Sequence, residues 1–220
     1  MIVRLWRHAD AAGPVVDASA AATIALVRHG ETDWNREGRI QGSTDIPMNE
    51  TGRGQARATA SRLGSAGWDA VVTSPLVRAR ETAEIIAHGL ALPAPQVERD
   101  LAERRHGMLE GRTSAERRAL EAQAVPIAGL ESRVSVVSRA VPSLLRLAAR
   151  HPGGAVVAVT HGGVIQSVLL HLWERRSLPS GAVANGSVHE LLVTGARLQV
   201  VRSDADAAAG VADLAEEAPA

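Results

Sequence analysis

The stretch "AVVAVTHGGVI", Ala155 to Ile165, decides the reading of the chain. Ala155–Thr160 is an uncharged run of small and β-branched residues, the clearest buried strand in the sequence. It passes straight into His161-Gly162-Gly163 and an apolar helix expected over Val164–Trp173. "TIALV" (Thr23–Val27) is a second run of this kind, followed by Arg28-His29-Gly30. "AVVT" (Ala70–Thr73) is a third, followed by Ser74-Pro75. Helical patterns separate them: Thr51–Leu63 with a cap in the Asn49/Thr51 region, and Arg78–Leu90 with Ala79, Thr82, Ala83 and Ile86 on one face. Alternating strands and helices predict an α/β domain with a largely parallel sheet, whose ligands sit beyond the carboxyl ends of the strands. Two of those ends carry a histidine, His29 and His161, and both point to the same edge.

Working outward, residues 33–50 are polar and turn-rich and read as a long ordered loop. Gln96–Glu98 is a short strand candidate. Leu101–Arg112 reads as a loop bracketed by Gly107 and Gly111. Ser114–Gln123 is a charged helix with Ser114 as its cap, and Glu131–Arg150 a longer helix interrupted or kinked near Pro142. Ser187–Val193 and Arg197–Val201 form a closing pair of strands. Residues 204–220, Ala-rich with five acids and no base, read as a frayed tail.

The apolar run and Arg-His pair of Thr23–His29 have a decoy. "IVRLWRHAD" (Ile2–Asp10) repeats the pattern, but Gly13-Pro14 and a small-residue stretch follow it. A strand ending at His8 would also compete for the sheet slot that Thr23–Val27 fills. Residues 1–22 therefore read as an N-terminal extension, and residues 23–203 as one domain. Residues 15–22 look superficially like a signal cleavage region, but Asp17 and Gly13-Pro14 interrupt the apolar core such a signal needs.

Composition narrows the chemistry. Cysteine is absent, which excludes disulfides and thiol catalysis and fits a reducing, cytoplasmic compartment. No run of 18 apolar residues predicts a membrane span. All 24 basic residues are arginine and balance 24 acids. Without lysine, a Schiff base and a lysine phosphate clamp are excluded. No basic stripe is present, and neither Phe nor Tyr occurs, which argues against nucleic-acid partners. Any anion site must use arginine, histidine or backbone N–H groups.

Arg28, His29, His161 and Arg78 converge on one sheet edge in this reading. Four cationic or potentially cationic groups repel one another unless a dianion fills the site. Arginine's planar fork matches phosphate oxygens. Gly30, Gly162 and Gly163 allow close backbone approach, and the helix N-terminus after His161 adds N–H donors. A phosphoryl group is the natural ligand, and a histidine held against it can be the nucleophile. The chemistry also needs an acid for the leaving alcohol; Glu103, Glu31 and Glu110 are the candidates, and residue physics does not choose among them. No His/Asp/Glu set has the spacing of a zinc site, so no metal is expected.

"LVRHGETDWNREGRIQGSTDIPMNETGRGQA" (Leu26–Ala56) resembles the signature of the histidine phosphatase superfamily, the branch that includes cofactor-dependent phosphoglycerate mutases. "TSPLVRARETA" (Thr73–Ala83), "LAERRHGMLEG" (Leu101–Gly111) and "VTHGGVI" (Val159–Ile165) resemble its next three blocks in order. "NGSVHEL" (Asn185–Leu191) resembles a further motif. The resemblance implies a three-layer α/β/α sandwich with a central, mostly parallel sheet. It implies that His29 is the phosphorylated nucleophile and Glu103 the general acid, and that Arg28, Asn35, Arg78 and His161 bind phosphate. It further implies that Gln41, Gly42 and Arg104 contact the rest of the substrate. No metal or organic cofactor is implied, and a homodimer is compatible with it.

The expected activity is hydrolysis of a small-molecule phosphate ester through a phosphohistidine. Family mutases read "HGNSLR" where this chain has "HGGVIQ", and they carry a longer insert than the short segment Gly111–Glu131. The alternatives are a phosphoglycerate mutase and a non-catalytic phospho-ligand binder; the second needs a lost site residue, and none is lost. His88, His151 and His171 read as surface or boundary residues, His189 as structural. His106 is a candidate pocket residue.

Overall fold

The computed structural model describes residues 21–64, 67–123, 126–179 and 181–205. The expectations for residues 1–20, and for the tail beyond Ala205, lie outside the described residues.

Six strands form one sheet: β1 (Ala22–Arg28), β2 (Ala70–Thr73), β3 (Gln96–Val97), β4 (Ala155–Thr160), β5 (Val188–Thr194) and β6 (Arg197–Ser203). Their order is β3-β2-β4-β1-β5-β6. The pairings β1–β4, β4–β2 and β2–β3 are parallel, while β5 runs antiparallel to both β1 and β6. β4 and β1 lie in the middle, with Thr23 opposite Ala155 and Arg28 opposite Thr160.

Helices cover both faces, and the strand alternation decides which residue meets which layer. Ile24, Leu26, Val156 and Ala158 pack against α5 (Arg133–Arg150) and α6 (Gly162–Leu172). Ala25, Val27, Val157 and Val159 turn the other way, onto α2 (Glu50–Leu63) and α3 (Val77–Gly89). This is the three-layer α/β/α sandwich, and burial on both faces explains why β1 and β4 are continuously apolar. No described helix is long and apolar enough to cross a membrane.

Several local expectations change. The loop over 33–50 contains a one-turn helix, α1 (Asp33–Arg36), closed by a capping box between Thr32 and Asn35. The loop over 101–112 contains a 3₁₀ turn, Gly107–Leu109, and is entered through another, Arg99–Leu101. Helix α4 (Ser114–Ala122) is capped by Thr113, not Ser114: Thr113 Oγ1 accepts from Glu116 N while Glu116 reaches back, the reciprocal arrangement that a cap at Ser114 could not make with Glu116. α5 runs through Pro142 as one helix. Pro142 and Ser138, whose carbonyl would have taken the missing N–H, are both solvent-exposed, so water can satisfy the lost bond. α6 begins at Gly162, two residues early, because His161 is its N-cap. Asp204 and Ala205, assigned to the acidic tail by composition, pack on the domain: Asp204 accepts from Val188 N at 2.8 Å, and Ala205 is buried.

Candidate active site

The carboxyl ends of β2, β4 and β1 lie side by side and present Ser74, His161 and His29 in that order. His29 leaves β1 with its own N–H on Thr160 O (3.0 Å). Its Nδ1 lies 2.7 Å from Gly30 O. A carbonyl can only accept, so Nδ1 carries the proton and Nε2 keeps its lone pair. The Nε–H of Arg78 donates to that Nε2 at 3.3 Å. Burial, then Arg78 and Arg28, hold His29 well below the ordinary histidine range. The ring is neutral, with its lone pair facing the cluster of arginines.

Arg78 sits in the first turn of α3 and is fully buried. Its Nη1 and Nη2 donate to Thr44 O (2.9 Å) and Gly42 O (2.8 Å). Arg28 Nη1 donates to Val183 O at 2.7 Å, while its Nε is buried without a partner among the described residues. His161 lies beneath the site with no exposure, its ring centroid 5.1 Å from that of His29. Its Nε2 is 2.6 Å from Ser74 Oγ, and its Nδ1 has no partner among the described residues. Burial first, then Arg78, His29 and Arg28, keep this ring well below the usual histidine range as well.

Glu103 closes the other side. Its carboxylate accepts from Arg104 N (2.7 Å) and Gly163 N (3.2 Å). Burial raises its pKa above the ordinary carboxylate value, against those two N–H groups and the two arginines. Gly163 makes this approach feasible, since a Cβ there would sit 2.6 Å from Glu103 Oε1.

Around these groups lies a cavity of about 430 Å³ lined in part by Arg28, His29, Asn35, Arg78, Glu103 and His106. Gln41 and Gly42 also line it. Asn35 Oδ1 accepts from Thr32 N and from Asn185 Nδ2, and the same Asn185 nitrogen donates to His29 O at 2.9 Å. Gln41 is buried, and its Oε1 has no partner among the described residues. Burial and the nearby Arg104 and Arg117 push His106 down to about 4, so it is neutral in the wall.

The structure thus gathers His29, Glu103, Arg28, Asn35, Arg78, Gln41 and Gly42 at one cavity, with His161 directly below. Arg104 is not in the lining, and its Nε donates to Glu131 O at 2.7 Å. Among the rival acids, Glu31 accepts from Asn49 Nδ2 (3.0 Å), away from this lining, and Glu110 is bound to the loop of Ser43 and Thr44. Ser74 and Asn185 were not singled out by sequence reasoning. Each lies inside a motif that it recognised, "TSPLVRARETA" and "NGSVHEL". His189 is held between Ser203 Oγ (2.7 Å) and Ser187 Oγ (3.0 Å), within the sheet. Among the described residues, no group of three or more His, Asp or Glu could hold a metal ion.

A mostly parallel sandwich with paired histidines and arginines at its carboxyl edge defines a phosphoryl-handling enzyme class. The chain matches the histidine phosphatase superfamily (branch 1) over residues 24–206 and belongs to it. It is 39% identical to the uncharacterized phosphatase PhoE of Bacillus subtilis, covering 68% of this chain and 76% of that protein. It is 31% identical to a 2,3-bisphosphoglycerate-dependent phosphoglycerate mutase of Gloeobacter violaceus, covering 69% and 75%. The native structure of mycobacterial glucosyl-3-phosphoglycerate phosphatase is also similar: TM-score 0.70, 30% identity, 84% of this chain and 99% of that one.

Proposed function

We propose that this protein is a phosphomonoesterase that hydrolyses a small-molecule phosphate ester through a phosphohistidine at His29. The observation that carries the reading is the tautomer of His29: Nδ1–H is committed to Gly30 O, and Nε2 offers a lone pair beside Arg78.

In the first step Nε2 attacks phosphorus as the P–O bond to the alcohol breaks, and the leaving oxygen takes the proton of Glu103. The raised pKa of Glu103 favours the protonated form this step requires. In the second step Glu103, now a carboxylate, takes a proton from water. The hydroxide forms the new P–O bond, the N–P bond breaks and phosphate leaves. Arg28, Arg78 and the unpartnered Nδ1 of His161 stabilise the phosphoryl oxygens throughout.

Hydrolysis, in preference to return of the phosphoryl group to a bound acceptor, is supported by access. Among the described residues, none between Gly107 and His161 lines the cavity, so the described part of the short segment before α5 contributes no wall to it, whereas Leu178, Pro179 and Ala182 do. The mutase reading draws on the similarity to a named mutase. Kinetics on a panel of phosphate esters, with phosphate release followed directly, tests the choice. Release from at least one small ester is the expected result; interconversion of 2- and 3-phosphoglycerate without release would replace it with the mutase.

A further inference from the structure

Glu110 is one of the two acids that sequence reasoning could not separate from Glu103, and the structure gives it unusual attention. Its Oε1 accepts from Ser43 N (3.0 Å), Ser43 Oγ (3.1 Å) and His106 N (3.0 Å). Its Oε2 accepts from Ser43 Oγ (3.2 Å), Thr44 N (3.1 Å) and Thr44 Oγ1 (2.8 Å). Gly42, at φ 55°, lies so close that a Cβ would stand 2.1 Å from Glu110 Oε1. Every donor there is an N–H or O–H pointing at a carboxylate, and together they outweigh partial burial and lower its pKa. Such a group stays ionised and is a poor proton donor.

The other side of that loop faces α3. The carbonyls of Gly42 and Thr44 hold the two Nη groups of Arg78, and Asp45 Oδ1 accepts from Val77 N at 2.7 Å. The N-cap position of α3, Leu76, offers no side-chain cap, so Asp45 supplies it from the loop. The short loop therefore grips the start of α3 by backbone and side chain, and Glu110 grips the loop. Arg78 in turn contacts the nucleophilic nitrogen through Nε.

We propose that Glu110 is a positioning residue: by gathering the amides and hydroxyls of Ser43 and Thr44 it sets the carbonyls that aim the Arg78 guanidinium at His29 and its phosphoryl group. The proposal rests on the phosphatase reading for what Arg78 does, but its physical content is the coupling of Glu110 to Arg78. An interaction passed through shared partners is non-additive in a double-mutant cycle, whereas a general loss of stability is additive.

The experiment measures inorganic phosphate affinity by calorimetry alongside kcat and KM, for the full chain, E110Q, R78K and the double variant. Glutamine keeps the shape but points N–H groups at donors, so E110Q is expected to weaken phosphate binding and lower kcat/KM by roughly 10- to 100-fold. In the R78K background the same change is expected to cost less than about threefold. If E110Q does not fold, the S43A/T44V pair removes two hydroxyl donors while keeping the amides and is expected to show a smaller loss, again absorbed by R78K. Unchanged phosphate affinity in the folded variant, or full additivity with R78K, would overturn the proposal. Wild-type protein that binds phosphate yet hydrolyses no ester would sink the phosphatase reading and leave the coupling test intact.

Discussion

The two ends of the segment Leu101–Gly111 carry one glutamate each, and the fold drives them into opposite states. Glu103 at the front end accepts two backbone N–H groups, is half-buried in the cavity wall, and is raised toward its neutral form by desolvation. Glu110 at the back end is less buried, accepts from two serine/threonine hydroxyls and three backbone amides, and is lowered toward its anion. Same residue type, same loop, and both near Arg78: the difference is the balance of desolvation against donor count. A partly desolvated carboxyl with few donors can hold a proton for a leaving group; one surrounded by donors serves as an anchor.

The largest expected effect removes what both glutamates serve. On the proposed mechanism, in which nucleophile and phosphate pocket act as a unit, His29→Ala should lower kcat/KM on the order of 10⁴-fold or more. Retention of most activity would show that the paired glutamates flank the wrong nucleophile. Glu103→Gln comes next, at about 10²–10⁴-fold in kcat. The wild-type kcat/KM should fall as pH rises through the Glu103 pKa, above the ordinary carboxylate value, and this limb should vanish in the glutamine variant. The acid limb, set by protonation of His29, should lie below the ordinary histidine value because burial and the arginines depress that group. A basic limb that survives Glu103→Gln unchanged would transfer the acid role elsewhere.

Gly163→Ala sharpens the contrast from the front end alone. Its Cβ would crowd Glu103 Oε1 at 2.6 Å and leave Glu110 untouched. A roughly 10- to 100-fold loss is expected for alkyl phosphates, shrinking for nitrophenyl phosphate, whose leaving group needs little protonation. Equal losses on both substrates would mean that the alanine disturbs the pocket generally. Arg104→Ala should be the mildest. Its guanidinium supports Glu131 O outside the lining, so kcat/KM should move by less than about threefold while urea unfolding reports about 1–2 kcal/mol of lost stability. A large rise in KM would instead return Arg104 to the substrate.

Much of this site is legible in the amino-acid sequence. β1 and β4 are legible because two-sided burial leaves an unbroken apolar run, and each run ends in a histidine whose only destination is the carboxyl edge. The Ser74–His161 contact was not, because it depends on β2 being the neighbour of β4, a fact of strand order and not of local pattern. Glu103 and Glu110 could not be told apart by residue physics either, since their states are set by donors that arrive from residues 42–44 and from Gly163. Thr113 over Ser114 as the α4 cap turned on a single register, where Glu116 falls at the position that can reach back.

The most direct test is a rapid acid-free quench of Glu103→Gln with ³²P-labelled nitrophenyl phosphate, whose leaving group needs little protonation in the first step, followed by peptide mapping. With the base for the second step removed, the phosphoenzyme should accumulate as an acid-labile, base-stable label on His29. A protein that turns over the ester but carries no label, or carries it on any residue other than His29, would contradict the phosphohistidine mechanism.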